Sequence, residues 1–179
     1  MGSQPATGPV NGYVVVHGIP GTGKTTLAVP LARELGLALI AKDSIKESLW
    51  DTLGAGDSAW SRKLGAAAMD VLWRLAAEAG SAVLESNFHR AFAHRFSALS
   101  GSVVEVYCSC DPELARSRYS TRRRHPCHFD QTYGLDMFDR WVADSGPLDL
   151  GGPVIEIDTT EPVDVRAVAE RVRAHLGPR

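Results

Sequence analysis

Short apolar runs alternate along the chain with longer segments in which apolar residues recur at helical spacing. The first run, Tyr13–His17, is rich in β-branched residues and is bounded by glycine, which is typical of a strand buried on both faces. Later apolar runs predict four more strands, at Leu37–Ala41, Ser81–Ser86, Ser102–Cys108 and Pro153–Asp158.

Amphipathic segments between these strands predict helices. They are Thr25–Leu35, a helix capped by Asp43 or Ser44, Asp57–Ala79, His89–Leu99, a helix opened by Asp111 and Pro112, and Val163–Leu176. Gly36 is placed to end the first helix, and Pro30 should kink that helix or leave one of its carbonyls unpaired. The apolar side of the third helix is predicted to hold Leu64, Ala68, Val71, Leu72 and Leu75.

Strands that alternate with helices predict one α/β domain whose parallel sheet is covered on both faces. The expected architecture is a doubly wound, five-stranded sheet in the order 2-3-1-4-5. Residues 1–12 carry no periodicity and are expected to be a flexible leader, so that residues 13–179 form the domain. The stretch Ser120–Thr132 is irregular and dense in arginine and histidine.

Composition narrows the class of protein. The chain has 179 residues, 44% hydrophobic and 22% charged, with a formal net charge of -2, so bulk charge argues against a dedicated nucleic-acid binder. No apolar run reaches the roughly 20 residues of a membrane span, and the leader lacks the apolar core of a signal peptide. Three cysteines are too few for a disulfide scaffold, so we expect a cytoplasmic protein without membrane attachment.

A complete phosphate-binding pattern, G-x-x-x-x-G-K-[ST], follows the first strand directly and opens the first helix. Glycines let successive backbone N–H groups point inward around phosphate oxygens, and the helix presents its positive end to the same anion. Lysine suits the β- and γ-phosphates, and the hydroxyl after it suits Mg²⁺. The motif predicts binding of ATP or GTP with Mg²⁺ through Gly18, Pro20, Gly21, Thr22, Gly23, Lys24, Thr25 and Thr26.

An aspartate, Asp43, follows the second strand. Parallel strands end at the same edge of a sheet, so this carboxylate should face the γ-phosphate across the cleft. It could there accept the proton of an attacking hydroxyl. The alternative is that Asp43 only caps the second helix, since aspartate is a favoured cap.

The loop, with Lys42-Asp43-x-x-Lys46 some twenty residues later, resembles the P-loop small-molecule and polynucleotide kinases. That group includes chloramphenicol phosphotransferases, gluconate kinases, phage-type polynucleotide 5′-hydroxyl kinases and AAA-type kinases. The resemblance implies that Asp43 is the catalytic base and that Lys46 lies on the acceptor side.

The third strand ends at Glu85, where NTPases usually hold Mg²⁺ through water with an acidic residue. The resemblance implies that Asn87, two positions later, contacts the acceptor, and Arg90 is a further candidate for the same cleft. A solvated strand end and a turn asparagine are the alternatives.

Arginines cluster in a predicted lid at about residues 116–132. Arg118 and Arg122 share one helical face, match the family's R-x-x-x-R lid and could grip β- and γ-phosphate oxygens during transfer. A solvated basic helix face is the alternative.

The resemblance also implies that Thr159 and Thr160, after the fifth strand, contact the nucleobase, unless a threonine there caps the last helix.

Two further features leave alternatives open. His125-Pro126-Cys127-His128 is too compact for a tetrahedral zinc site; we expect His125 and Pro126 to fix the exit of the lid, and His128 to be a lid residue without an assigned role. Aromatic residues could form core or an acceptor pocket: Trp50, Trp60, Trp73, Phe88, Tyr133, Phe138 and Trp141.

Together these features predict a kinase that moves the γ-phosphoryl group of ATP or GTP to a hydroxyl of a small molecule. The resemblance to chloramphenicol phosphotransferase suggests an antibiotic acceptor, such as a nucleoside antibiotic, and hence a resistance enzyme. A polynucleotide 5′-hydroxyl kinase is one alternative, and a nucleotide-dependent switch or ATPase without an acceptor is another.

Overall fold

The computed structural model describes residues 10–178, with the backbone alone for 130–134 and for the two end residues of that range. A two-stranded antiparallel ribbon joins β1 (Val10–Asn11) to β7 (Gly177–Pro178). The leader predicted over residues 1–12 therefore lies mostly outside the described residues, and the part inside them includes a short strand.

Five strands form the main sheet: β2 (Tyr13–His17), β3 (Leu39–Ala41), β4 (Ala82–Glu85), β5 (Val103–Ser109) and β6 (Val154–Asp158). Neighbouring strands are all parallel, and the order is β3-β4-β2-β5-β6. This is the predicted order 2-3-1-4-5, so the doubly wound α/β prediction is confirmed.

Helices cover both faces of the sheet. They are α1 (Lys24–Leu35), α2 (Lys42–Leu53), α3 (Ser58–Ala79), α4 (Ala93–Phe96), α5 (Pro112–Thr121), α6 (Asp130–Ala143) and α7 (Val165–Arg173). Short 3₁₀ turns at Arg90–Phe92 and Pro126–His128 precede α4 and α6. Among the described residues no helix is both long and apolar enough to cross a bilayer.

The central strand β2 divides the core because successive side chains point to opposite faces. Val14 and Val16 pack with Leu31 on the face covered by α1 and α7. Tyr13 and Val15 belong to the core on the opposite face, where the Tyr13 hydroxyl donates to the Ala76 carbonyl at 2.9 Å and anchors α3.

Several helix boundaries differ from the predictions. Helix α2 begins at Lys42, without a side-chain cap, so the predicted cap at Asp43 or Ser44 is wrong. The predicted helix over His89–Leu99 shrinks to a 3₁₀ turn and the one-turn α4. Helix α6 was not predicted, and α7 is shorter than the predicted helix over Val163–Leu176. Helix α1 contains Pro30, as predicted.

The buried side of α3 is narrower than predicted. Leu64, Ala68 and Leu72, four residues apart, are buried. Val71 and Leu75 are 38% and 41% exposed, because one residue is a rotation of about 100° around a helix and turns them to the outside.

Candidate active site

The phosphate-binding loop has the backbone geometry that its glycines permit. Gly18, Gly21 and Gly23 have φ values of 144°, 91° and 69°. A Cβ atom at Gly18 would lie 2.2 Å from the Cys108 carbonyl oxygen, so the loop passes directly against the end of β5. The loop is thus closely packed as well as curled.

Lys24 is folded back over this loop. Its Nζ donates to the Ile19 carbonyl at 3.0 Å, and the Thr22 hydroxyl donates to the same carbonyl at 2.8 Å. Burial lowers the pKa of Lys24, while the Glu85 and Asp43 carboxylates oppose this shift. Two acids therefore favour the charged form of an ammonium placed where phosphate oxygens would bind.

Glu85 and Thr25 fit a magnesium site. Glu85 ends β4 with 3% of its surface exposed, and it lines the same cleft as Thr25. Burial raises the pKa of Glu85, which the Lys24 ammonium opposes. A hydroxyl and a carboxylate are the hard oxygen donors that Mg²⁺ prefers, so these two residues would hold the ion, directly or through water.

Asp43 lies in the first turn of α2, at the same edge of the sheet. Lys42 Nζ donates to Asp43 Oδ1 at 2.9 Å, and an Arg124 guanidinium nitrogen contacts Oδ2. Burial alone would raise the pKa of Asp43, but the Lys42 and Arg124 cations outweigh it and hold the pKa well below its usual range. The carboxylate is therefore ionised and fixed between two cations.

One cleft of about 480 Å³ joins Asp43 to the phosphate-binding loop. Lys24, Thr25 and Glu85 line its nucleotide end. The predicted acceptor residues Lys46 and Asn87 line it too. We call this space the transfer cleft.

Arg90 is not among the residues that line the transfer cleft, but it lines a small neighbouring cavity together with Gly18 and Asn87, so its role at the acceptor stays a prediction. Its Nε donates to the Pro147 carbonyl at 3.0 Å, and it lies 3.8 Å from the Asp149 carboxylate. The 3₁₀ turn that replaces the predicted helix directs Arg90 toward the loop after α6.

The two arginines of the predicted pair differ in the clefts that they line. Arg122 lines the transfer cleft and stacks on the Tyr119 ring, with 4.6 Å from guanidinium carbon to ring centroid. The Arg118 guanidinium donates to the Thr159 carbonyl at 3.2 Å and lines a second cleft on the other side of the loop. Both arginines line the second cleft and Arg122 also lines the transfer cleft, so the prediction that the pair grips β- and γ-phosphate oxygens stays a prediction.

The second cleft, of about 640 Å³, has the features of a nucleobase site. Gly21, Gly23 and Thr26 line it from the phosphate loop, and Thr159 and Thr160 line it from the loop after β6. The Thr159 hydroxyl lies 2.9 Å from the carbonyls of Thr22 and Ser109, linking the two loops. The alternative that a threonine caps α7 is wrong, because Asp164 accepts from the N–H groups of Arg166 and Ala167.

Arg124 and His128 line the transfer cleft but were not predicted as site residues. His128 Nε2 lies 2.7 Å from Glu47 Oε1 and 3.1 Å from an Arg124 nitrogen. His125 in turn lies 3.0 Å from Asp51. One sequence feature could have indicated these contacts. Asp43, Glu47 and Asp51 are four residues apart, which places three acids on one face of α2, opposite the basic segment.

The structure divides the aromatic residues between core and cleft. Trp50 and Trp73 are buried in core clusters, whereas Phe92 and Trp141 line the transfer cleft. The side chain of Met69 lines the cleft beside these two aromatic residues. Within the described part of the chain, no three His, Cys, Asp or Glu side chains come close enough to hold a metal ion together.

Replacing Arg124 with glutamine should raise the pKa of Asp43, because one of its two cations is lost. If Asp43 is the base that accepts the acceptor's proton, the acidic limb of kcat/KM should then move to higher pH, toward the ordinary carboxyl range of about 4. A pH profile of phosphoryl transfer measures this shift. Arg123→Gln, an exposed neighbour, should leave the limb in place; an unmoved limb in Arg124→Gln would contradict the assignment.

Comparison with known structures identifies similar folds. A candidate kinase from Chloroflexus aurantiacus J-10-fl is 34% identical, covers 93% of this chain and 99% of its own, and has a TM-score of 0.82. Chaetomium thermophilum Kti12, in complex with ADP-AlF3, is 18% identical with a TM-score of 0.66, over 92% and 99% of the two chains. A gluconokinase from Sinorhizobium meliloti 1021 is 14% identical with a TM-score of 0.58, over 93% and 95%.

The search of curated proteins returned no match. A family model described as an AAA domain matches residues 14–137, which include the phosphate-binding loop, Asp43, Glu85 and the lid arginines. The sheet order and the loop are those of a kinase-type P-loop fold. The chain belongs to the AAA domain family.

Proposed function

We propose that the protein is a phosphotransferase that moves the γ-phosphoryl group of a nucleoside triphosphate to a hydroxyl group of a small molecule. The observation that carries the proposal is the transfer cleft, in which an ionised Asp43 shares one space with Lys24 and Thr25 of the phosphate loop. A hydroxyl bound between them lies beside both a proton acceptor and the phosphate to be transferred.

The chain's own residues supply positioning and charge, which are the main needs of phosphoryl transfer. The acceptor oxygen forms a bond to the γ-phosphorus, the bond from that phosphorus to the β–γ bridging oxygen breaks, and the acceptor proton passes to Asp43. Lys24, Arg122 and Arg124 stabilise charge on the phosphoryl oxygens. Thr25 and Glu85 would hold Mg²⁺, and the ion would supply positive charge to offset that of the nucleotide's phosphates.

The relatives support a small hydroxylated acceptor. The 34% identical relative carries the name of a kinase, and structures of similar fold are named sugar kinase and gluconokinase. An antibiotic acceptor, nucleoside or other, is the narrower form of the proposal, and the wall of Met69, Phe92 and Trp141 would suit an aromatic one. The second cleft is proposed to take the base of either ATP or GTP, in the cytoplasm.

Transfer from γ-labelled ATP and GTP to hydroxylated metabolites, antibiotics and a 5′-hydroxyl oligonucleotide tests the proposal. We expect acceptor-dependent transfer to a small molecule, lost on chelating Mg²⁺ with EDTA. Transfer to the oligonucleotide alone would favour a polynucleotide kinase. Hydrolysis that no acceptor accelerates would favour a switch or ATPase, and either result would overturn the proposal.

A further inference from the structure

The ammonium group of Lys46 is buried, and none of the described carboxylates forms an ion pair with it. Lys46 is 7% exposed, and its Nζ donates to Ser61 Oγ at 2.8 Å. Among the residues that the structure describes, no carboxylate lies within ion-pair distance of this nitrogen. An ammonium has three donors, so the single described bond leaves capacity for a ligand.

Ser61 cannot supply the missing charge. Its hydroxyl donates to the Cys127 carbonyl at 2.5 Å, so the oxygen accepts from Lys46 as a neutral group. Because Ser61 is fully buried on α3, and Cys127 belongs to the turn after the arginine segment, this bond ties the position of Lys46 to that segment. The ammonium is therefore fixed in place by neutral partners.

Other charges around Lys46 do not compensate it. Burial lowers the pKa of Lys46 and the nearby cations Lys42 and Arg124 lower it further, while the Asp43 carboxylate opposes this shift without reversing it. The nearest acid, Asp43, already contacts those two cations. A buried charge without a counter-charge is expensive, so the site is suited to an anion that arrives with a ligand.

Lys46 faces the acceptor end of the transfer cleft. It follows Asp43 by three residues, which is roughly 4.5 Å along a helix axis. A Cβ atom added to Gly65 would lie 3.9 Å from Lys46 Cε, so the missing side chain at Gly65 keeps the cleft open beside the lysine stem. Met69, Phe92 and Trp141 form an apolar wall of the same cleft.

We propose that the acceptor alcohol also carries an oxyanion group, a carboxylate or a phosphate, that binds Lys46 while its hydroxyl faces Asp43. This inference rests on the proposed function and names the chemical class of its acceptor. The one-turn separation between the two residues places the oxyanion a few bonds from the reacting hydroxyl. The apolar wall then receives the carbon skeleton.

Binding of simple probes tests the subsite directly. Benzoate, phenyl phosphate and neutral benzamide are titrated by calorimetry into protein saturated with Mg²⁺ and the β,γ-imido analogue of ATP, which blocks the phosphate loop. We expect at least one of the two anions to bind at least about tenfold more tightly than benzamide. The better anion identifies carboxylate or phosphate as the group that the site prefers.

Lys46→Met keeps the apolar stem, removes the charge and should abolish the preference for anions. Lys63→Met, an exposed lysine on α3, is the matched control and should keep it. Ser61→Ala keeps the positive charge but removes the hydroxyl that positions it, so this variant should bind anions more weakly and still prefer them to benzamide. Equal binding of anions and benzamide to the wild type, absence of anion binding, or an unchanged preference in Lys46→Met would overturn the inference.

A second arm separates failure of this inference from failure of the proposed function. Phosphoryl transfer to hydroxy acids and phosphorylated alcohols is compared with transfer to their amides and parent diols. We expect kcat/KM at least about tenfold higher for the anionic members. Efficient transfer to the neutral compounds alone would contradict the oxyanion inference but not the proposed kinase activity. Lys46-dependent anion binding without any transfer would contradict the kinase activity but not the anion-binding site.

Discussion

Asp43→Asn should lower the rate of phosphoryl transfer by about 10²–10⁴-fold, the usual contribution of a positioned general base. Asparagine keeps the size of the side chain but cannot accept the acceptor's proton. Nucleotide affinity should persist because the phosphate loop is intact. Single-turnover transfer from γ-labelled ATP, with the dissociation constant of its β,γ-imido analogue measured in parallel, separates chemistry from binding.

Asp51→Asn is the matched control, since Asp51 is an exposed acid two turns further along α2 that pairs with His125 outside the transfer cleft. It should transfer phosphate at nearly the wild-type rate. If Asp43→Asn also retained that rate, Asp43 would serve only to hold Lys42 and Arg124. The proposed role of the carboxylate would then be wrong.

Gly18→Ala should destabilise the protein by about 2–6 kcal/mol and abolish nucleotide binding. The backbone there has φ 144°, and the new Cβ would meet the Cys108 carbonyl oxygen at 2.2 Å and Thr22 Oγ1 at 2.8 Å. The range combines the usual costs of backbone strain and of overpacking. Urea unfolding and calorimetric titration with Mg²⁺ and ATP measure the two effects.

Gly36→Ala is the control for left-handed backbone without crowding. Gly36 has φ 67°, and a Cβ there meets nothing within 4 Å. This variant should lose only about 1–2 kcal/mol of stability and bind nucleotide normally. Equal losses in Gly18→Ala and Gly36→Ala would mean that the close packing of the loop against β5 does not matter.

The fold could be predicted because its signals are local. Tyr13–His17 is a buried β-branched run, and the complete glycine pattern of the phosphate-binding loop follows it directly in the sequence. Asp43 and Glu85 could be placed near that loop because parallel strands end at one edge of the sheet. Their catalytic and metal-binding roles stay predictions.

Contacts between distant segments could not be predicted. Arg124 meets Asp43 across 81 positions of sequence, and only the docking of the arginine segment on α2 brings them together. Arg118 and Arg122 share a helical face by spacing, yet the bond from Arg118 to the Thr159 carbonyl draws it to the other cleft. The contacts of Arg90 with the loop after α6 were not predicted, because the helix predicted around Arg90 shrinks to a 3₁₀ turn and one helical turn.

The Thr159 hydroxyl gives the nucleotide site a mechanical property. By bridging the Thr22 and Ser109 carbonyls, it couples the loop that would receive the base to the loop that would receive the phosphates. The base-binding and phosphate-binding parts of the site are thereby held in a fixed relative position. Little conformational entropy is therefore lost when an intact nucleotide binds. Fragments such as inorganic phosphate or a free nucleoside gain only part of that advantage.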